Sequence, residues 1–87
     1  MPTIAAQVTI NDYAKWRPAF DKHKSLRDNA GLTHVRIYRD ADNANEIIVW
    51  SETADVAKAR EALNSPEIRN AMQEAGVGGP AKVHVIP

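Results

Sequence analysis

The sequence predicts an α+β domain with one antiparallel four-stranded sheet and its helices on a single face. Three observations carry this. Two stretches alternate apolar and polar residues with the period of two that belongs to half-buried strands, and two further short apolar stretches bounded by turn residues read as strands beside them. Between them lie stretches whose apolar residues recur every three or four positions, the spacing of one helix face. Their order is strand, helix, strand, strand, helix pair, strand, which is a split βαβ arrangement.

Each element has its own signal. From Thr3 to Ile10, the residues Ile4, Ala6, Val8 and Ile10 oppose Thr3, Ala5, Gln7 and Thr9. Asn11 and Asp12 then offer side-chain oxygens to the free N–H groups of a helix start. Tyr13, Trp16, Phe20, His23 and Arg27 (or Leu26) form one helical stripe. Pro18 lacks an N–H, so the first turn is expected to separate from the main helix there. Ala30-Gly31 ends the helix, with glycine suited to the left-handed cap. Leu32 to Arg39 alternates again, with Val35 and Ile37 opposing His34, Arg36 and Tyr38.

Asp40-Ala41-Asp42-Asn43-Ala44-Asn45 is a polar turn, and Glu46 to Glu52 is the returning strand. Asp55 opens a helix with Val56, Ala59 and Leu63 on one face. Ser65-Pro66 restarts it, because serine caps well and proline at the first position sacrifices no hydrogen bond. Ile68, Ala71, Met72 and Ala75 continue to Gly76, Val77-Gly78-Gly79-Pro80 turns the chain, and Lys82 to Ile86 is the last strand. The whole is a ferredoxin-like βαββαβ plait with a split second helix, a single domain over residues 1–87. Such plaits host many activities, so the fold alone assigns none.

Composition narrows the function. The 87 residues are 44% hydrophobic and 25% charged, with eleven basic side chains balancing eleven acidic ones. A neutral chain argues against nucleic acid or an anionic membrane as partner. With no cysteine, disulfides, thiol nucleophiles and cysteine-held metals are excluded. No run approaches the roughly 20 apolar residues of a membrane span. The N-terminal residues lack the basic segment of a signal peptide, so a cytoplasmic location is expected. A chain this short buries only about 60% of its unfolded surface, which favours association.

The sheet faces point the same way. Ile4, Ala6, Val8, Ile10, Val35, Ile37, Ile47, Val49, Val83 and Val85 are expected to form an aliphatic core under the helices. The opposite face carries Gln7, Thr9, His34, Arg36, Tyr38, Ile48, Trp50, Glu52, His84 and Ile86. It is too apolar to stand bare and too polar for an ordinary core. A homodimer interface through His34, Arg36, Ile48, Trp50 and His84 is expected, the alternative being single exposed apolar residues on a monomer.

The pattern Ile10-Asn11-Asp12-Tyr13, Trp16, Phe20-Asp21, His23, Arg27, Ala30-Gly31-Leu32 resembles the first half of the dimeric α/β-barrel superfamily. Tyr38-Arg39-Asp40, Asn45-Glu46-Ile47, Ser65-Pro66-Glu67, Ala71-Met72 and Ala75-Gly76-Val77 continue the likeness over nearly the whole chain. It is nearest to small bacterial members that are cyclase-like or antibiotic-biosynthesis-monooxygenase-like. The superfamily also holds muconolactone isomerases and stress-response proteins. The resemblance implies sheet-to-sheet pairing into a dimeric barrel and a pocket between sheet and helices in each subunit. It also implies enzymes that often work without metal or organic cofactor, so no cofactor is expected.

Among single residues, His23 is the candidate catalytic group, because an imidazole exchanges protons near neutral pH. The alternative is a half-buried helix-face histidine bonded to a neighbour. Tyr13, Trp16 and Phe20 are candidate pocket walls, with core packing as the alternative. Arg27 is a candidate carboxylate binder or a solvated ion pair. No metal is expected, since His23 should lie across the sheet from His34 and His84 and no short histidine spacing occurs.

Asp40 to Asn45 fails as a calcium loop because Asn45 stands where glycine is required. Gly76-Val77-Gly78-Gly79 follows a helix instead of opening one, so it is no phosphate cradle. An RNA-binding plait would use Tyr38, Trp50 and Arg36, but Gln7 and Thr9 stand where stacking aromatics belong. An amino-acid-sensing plait lacks a recognisable ligand loop.

Two readings stay open. One is a homodimer with a pocket for a small apolar or aromatic carbonyl compound, working as a cofactor-independent cyclase, isomerase or monooxygenase. The other is a non-catalytic dimeric ligand-binding or stress-response protein.

Overall fold

A computed structural model describes residues 1–79 and 81–87. Pro80, which the sequence places in the turn before the last strand, lies outside the described residues. The elements are β1 (Thr3–Thr9), α1 (Tyr13–Lys22), α2 (Lys24–Asn29), β2 (Thr33–Arg39), β3 (Glu46–Glu52), α3 (Val56–Leu63), α4 (Pro66–Glu74) and β4 (Lys82–Ile86). The sheet is antiparallel in the order β2-β3-β1-β4. This is the expected α+β plait, with Asp12, Asp55 and Ser65 each accepting a backbone N–H at a helix start.

Register sorts the side chains as the period-two reading requires. Ala6 pairs with Val49 on one side and Val83 on the other, while Val8 pairs with Ile47 and Ile37 with Val49. On the far face Ala5 lies between Trp50 and His84, and Gln7 between Ile48 and Lys82. In β2 the register slips between Thr33 and Arg36, and His34 takes a positive φ of 51°. This bulge inserts one extra residue at a sheet edge, a place where bulges are common.

Two expectations change. Helix α1 runs through Pro18 without interruption, and the chain breaks instead at His23. Proline forfeits one bond, the one its N–H would give to Ala14, and the turns on either side hold. At His23 the N–H turns back to the Phe20 carbonyl at 3.2 Å, and Arg27 Nη1 donates to the same oxygen at 2.6 Å. The oxygen that would accept from Lys24 in a continuous helix is thereby occupied. The second change is at β4, where Val83 stays 39% exposed instead of joining the core. The helices cover β1 and β3 and leave that edge open.

Both helical pairs end alike. Gly31 N–H bonds Asp28 and Leu32 N–H bonds Arg27, while Gly76 N–H bonds Gln73 and Val77 N–H bonds Met72. With φ of 77° and 83°, these glycines close Schellman caps that turn Leu32 and Val77 inward.

The core divides into two clusters. One gathers Val8, Ile10, Trp16, Ile47 and Ala75, and the other Ile4, Ala30, Leu32 and Ala59.

Candidate functional site

The gap between the two core clusters is a cavity of about 100 Å³. Its floor is the sheet, where Ala6 stands between Ile4 and Val8 on β1 and Val49 and Ser51 face up from β3. Small side chains make the room: Ala6 below, Ala71 on α4 and Ala75 at its C-terminal cap. Leu32 and Val77, delivered by the two caps, line it as well. One wall is Trp16, Phe20, His23 and Arg27, and the other is Leu63, Ile68 and Met72 with the two alanines.

The helix break positions the polar groups. Trp16 is fully buried and stacks on Phe20 with ring centroids 4.8 Å apart. His23 is half-buried at the α1–α2 junction, its Nε2 3.6 Å from a carboxylate oxygen of the exposed Glu74 on α4. Arg27 lies one turn further on, its guanidinium carbon 3.7 Å from the centre of the Phe20 ring. Burial is the main influence on Arg27 and lowers its pKa, with Asp21 and Asp28 acting in the opposite direction. Ser51 is buried and directs its hydroxyl to the Ile4 carbonyl at 3.5 Å. The cavity therefore combines apolar walls with one proton-exchanging group and one permanent cation.

Of the residues singled out in the sequence, Trp16, Phe20, His23 and Arg27 come together on the cavity. Tyr13 does not line it. Its ring packs 5.8 Å from that of Trp16 and is covered by Arg39, whose guanidinium carbon lies 4.1 Å from its centre. Phe20 and Arg27 line the cavity from the two sides of the helix break at His23, and Pro18 does not line it.

His34, Arg36, Ile48, Trp50 and His84 lie on the opposite face of the sheet. His34 Nδ1 is 2.9 Å from Glu52, and Arg36, Trp50, Ala5 and His84 form one row across the strands. His34 and His84 occupy the two edge strands, three strand spacings or about 14 Å apart. His23 is on the far side of the sheet from both.

Sequence reasoning missed the α4 wall and Ser51 as parts of a site, and it missed Glu74 altogether. The spacing of Ile68, Ala71, Met72 and Ala75 marked an apolar face but not a cavity. Nothing in the sequence linked Glu74 to His23, because their contact joins two separate helices.

No family model matches the chain, and no functionally curated protein does. Solved structures do share its fold. A Bordetella bronchiseptica protein, provisionally assigned as an antibiotic biosynthesis monooxygenase, aligns with a TM-score of 0.81 at 13% identity, over 99% of this chain and 94% of its own. SnoaB, a cofactor-independent oxygenase from Streptomyces nogalater, aligns with a TM-score of 0.73 at 16% identity, over 99% and 90%. A further antibiotic biosynthesis monooxygenase gives 0.71 at 14% identity, over 100% and 97%. The chain has the ferredoxin-like fold of these proteins, as the resemblance in its sequence implies. Among the described residues, no helix is long and apolar enough to cross a membrane.

Proposed function

We propose that this protein is a homodimer, joined sheet to sheet, whose subunits each bind a small apolar or aromatic carbonyl compound between sheet and helices. The reaction that fits is cofactor-independent and begins with removal of a proton beside the carbonyl. One observation carries the reading, the apolar cavity that presents His23 and Arg27 from a single wall. His23 takes the proton as general base, and Arg27 stabilises the negative oxygen of the resulting enolate. The fold shared with SnoaB supports a cofactor-independent oxygenase as the form such chemistry takes, since an enolate or phenolate is the electron-rich species dioxygen attacks.

The test needs no natural substrate. Acetophenone has one ring, one carbonyl and exchangeable methyl protons. In D2O its bound methyl group should exchange faster with the protein than without, and its binding should shift the Trp16 indole N–H resonance. His23→Gln should lower the exchange rate about 10²–10⁴-fold while binding survives. Ala71→Leu should fill the cavity and abolish both signals in a folded protein. Binding without accelerated exchange supports the non-catalytic ligand-binding alternative. Absence of binding removes the pocket from the function.

A further inference from the structure

Arg27 is the one permanent cation on a cavity wall that is otherwise almost wholly apolar. Its surroundings satisfy it in part only. One Nη1 proton goes to the Phe20 carbonyl at 2.6 Å, and the guanidinium plane lies over the Phe20 ring. Among the described residues no carboxylate comes within salt-bridge distance of it. Asp21 is committed to Arg17 at 3.2 Å and Asp28 to Lys24 at 2.8 Å, both of them exposed pairs. Glu74, the acid nearest His23, is 69% exposed and stands on the solvent side. A half-buried cation beside apolar walls gains most from a partner that brings a negative charge into the same dry space.

The size of the space is a second, independent constraint. An apolar cavity of about 150 Å³ holds one benzene, so a space of about 100 Å³ limits an occupant to a single ring. A fused two- or three-ring compound would have to displace Trp16 or Met72.

We infer that the ligand of this cavity is a single-ring monoanion, an aromatic or enolic carboxylate or oxyanion, whose charge is met by Arg27 and whose ring lies on Ala6, Met72 and Trp16. This deepens the proposed function and rests on its pocket. The fork of guanidinium N–H groups left over from the Phe20 contact matches the two oxygens of a carboxylate.

Benzoate and acetophenone have nearly the same shape and differ in charge, so they test the inference directly. In NMR titrations, benzoate should bind wild-type protein about ten- to a hundredfold more tightly than acetophenone, the range for hydrogen bonds to a charged group. Arg27→Met keeps the length of the side chain and should erase that preference, so that in the variant benzoate binds no more tightly than acetophenone. Should Arg27→Met not fold, the wild-type ratio decides alone. 2-Naphthoate should bind at least about tenfold more weakly than benzoate, because overfilling a packed space is costly. Equal binding of benzoate and acetophenone, or a preference that survives in Arg27→Met, overturns the anion assignment and leaves the pocket standing. Equal or tighter binding of 2-naphthoate overturns the single-ring limit. If neither single-ring compound binds, the pocket fails, and this inference fails with it.

Discussion

On the side of the sheet facing the helices, Ile4, Val8 and Ile47 are at most 5% exposed, while on the other side Tyr38, Ile48 and Ile86 keep 38–47%. Apolar content alone does not separate the two sides. The helix side is covered yet incompletely filled, because Ala6, Ala71 and Ala75 leave a gap between two core clusters. The far side has no gap and no cover, but its acids are already paired. Gln7 and Thr9 donate to Glu46, and His34 reaches Glu52 at 2.9 Å. A void under a cover is a place for a small molecule. An uncovered, partly apolar face whose acids are already hydrogen-bonded suits the proposed pairing with a second copy, provided that copy also meets the cations Arg36 and Lys82.

The two tryptophans break this comparison most sharply. Trp16 is 2% exposed and packs within a core cluster, so Trp16→Ala should cost about 3–5 kcal/mol. Small domains hold roughly 5–15 kcal/mol in all, and this one should become largely unfolded at 37 °C. Trp50 is half-buried in the middle of the far face, and Trp50→Ala should cost the protomer about 1 kcal/mol. Its main effect should be on association. Urea unfolding at two protein concentrations measures both terms. A Trp50→Ala loss as large as that of Trp16→Ala, and independent of concentration, would make the far face an ordinary core.

Ile48 sharpens the comparison next. It stands between Tyr38 and Gln7 in a row across the sheet, near the centre of the uncovered face. Ile48→Lys puts an unpaired charge at the middle of the proposed interface, and dimerisation should weaken at least about 100-fold with the fold intact. Sedimentation of wild type at micromolar concentration should show a dimer and the variant a monomer. A monomeric wild type would refute the sheet-to-sheet pairing.

What the sequence disclosed follows from what is local. Strand β3 over Glu46–Glu52 and β4 over Lys82–Ile86 match their expected bounds, because a short apolar stretch and the turn residues before it are local to the sequence. Pro18 misled because the sequence shows a missing N–H but not how well the neighbouring turns hold without it. The real break at His23 comes from Arg27 reaching back seven residues to the Phe20 carbonyl. The stripe Trp16, Phe20, His23 and Arg27 was legible as a helix face. The cavity it borders was not, since a void is set by the volumes of β1, β3 and α4 together. The pairing of Glu46 with Thr9 depends in the same way on a register between strands 37 residues apart.

That pairing gives the smallest expected effect and the most direct probe of the far face. The Thr9 hydroxyl, and after it the Gln7 amide, donate to the Glu46 carboxylate and lower its pKa. In the unfolded chain the group returns to about 4.3. The folded state thus favours the ionised form, so this contribution to stability is fully present above the unfolded value. It is lost as pH falls through the lower, folded value. Thr9→Val keeps the size and branching of the side chain but removes its donor. The Glu46 pKa should then rise toward its ordinary value without leaving it fully there, because Gln7 still donates at 3.2 Å. A carboxyl-carbon NMR titration of Glu46 in both proteins reads the shift. Identical titrations would mean that the hydroxyl does not hold the carboxylate, and the pre-paired character of the far face would rest on Gln7 with Glu46 and His34 with Glu52.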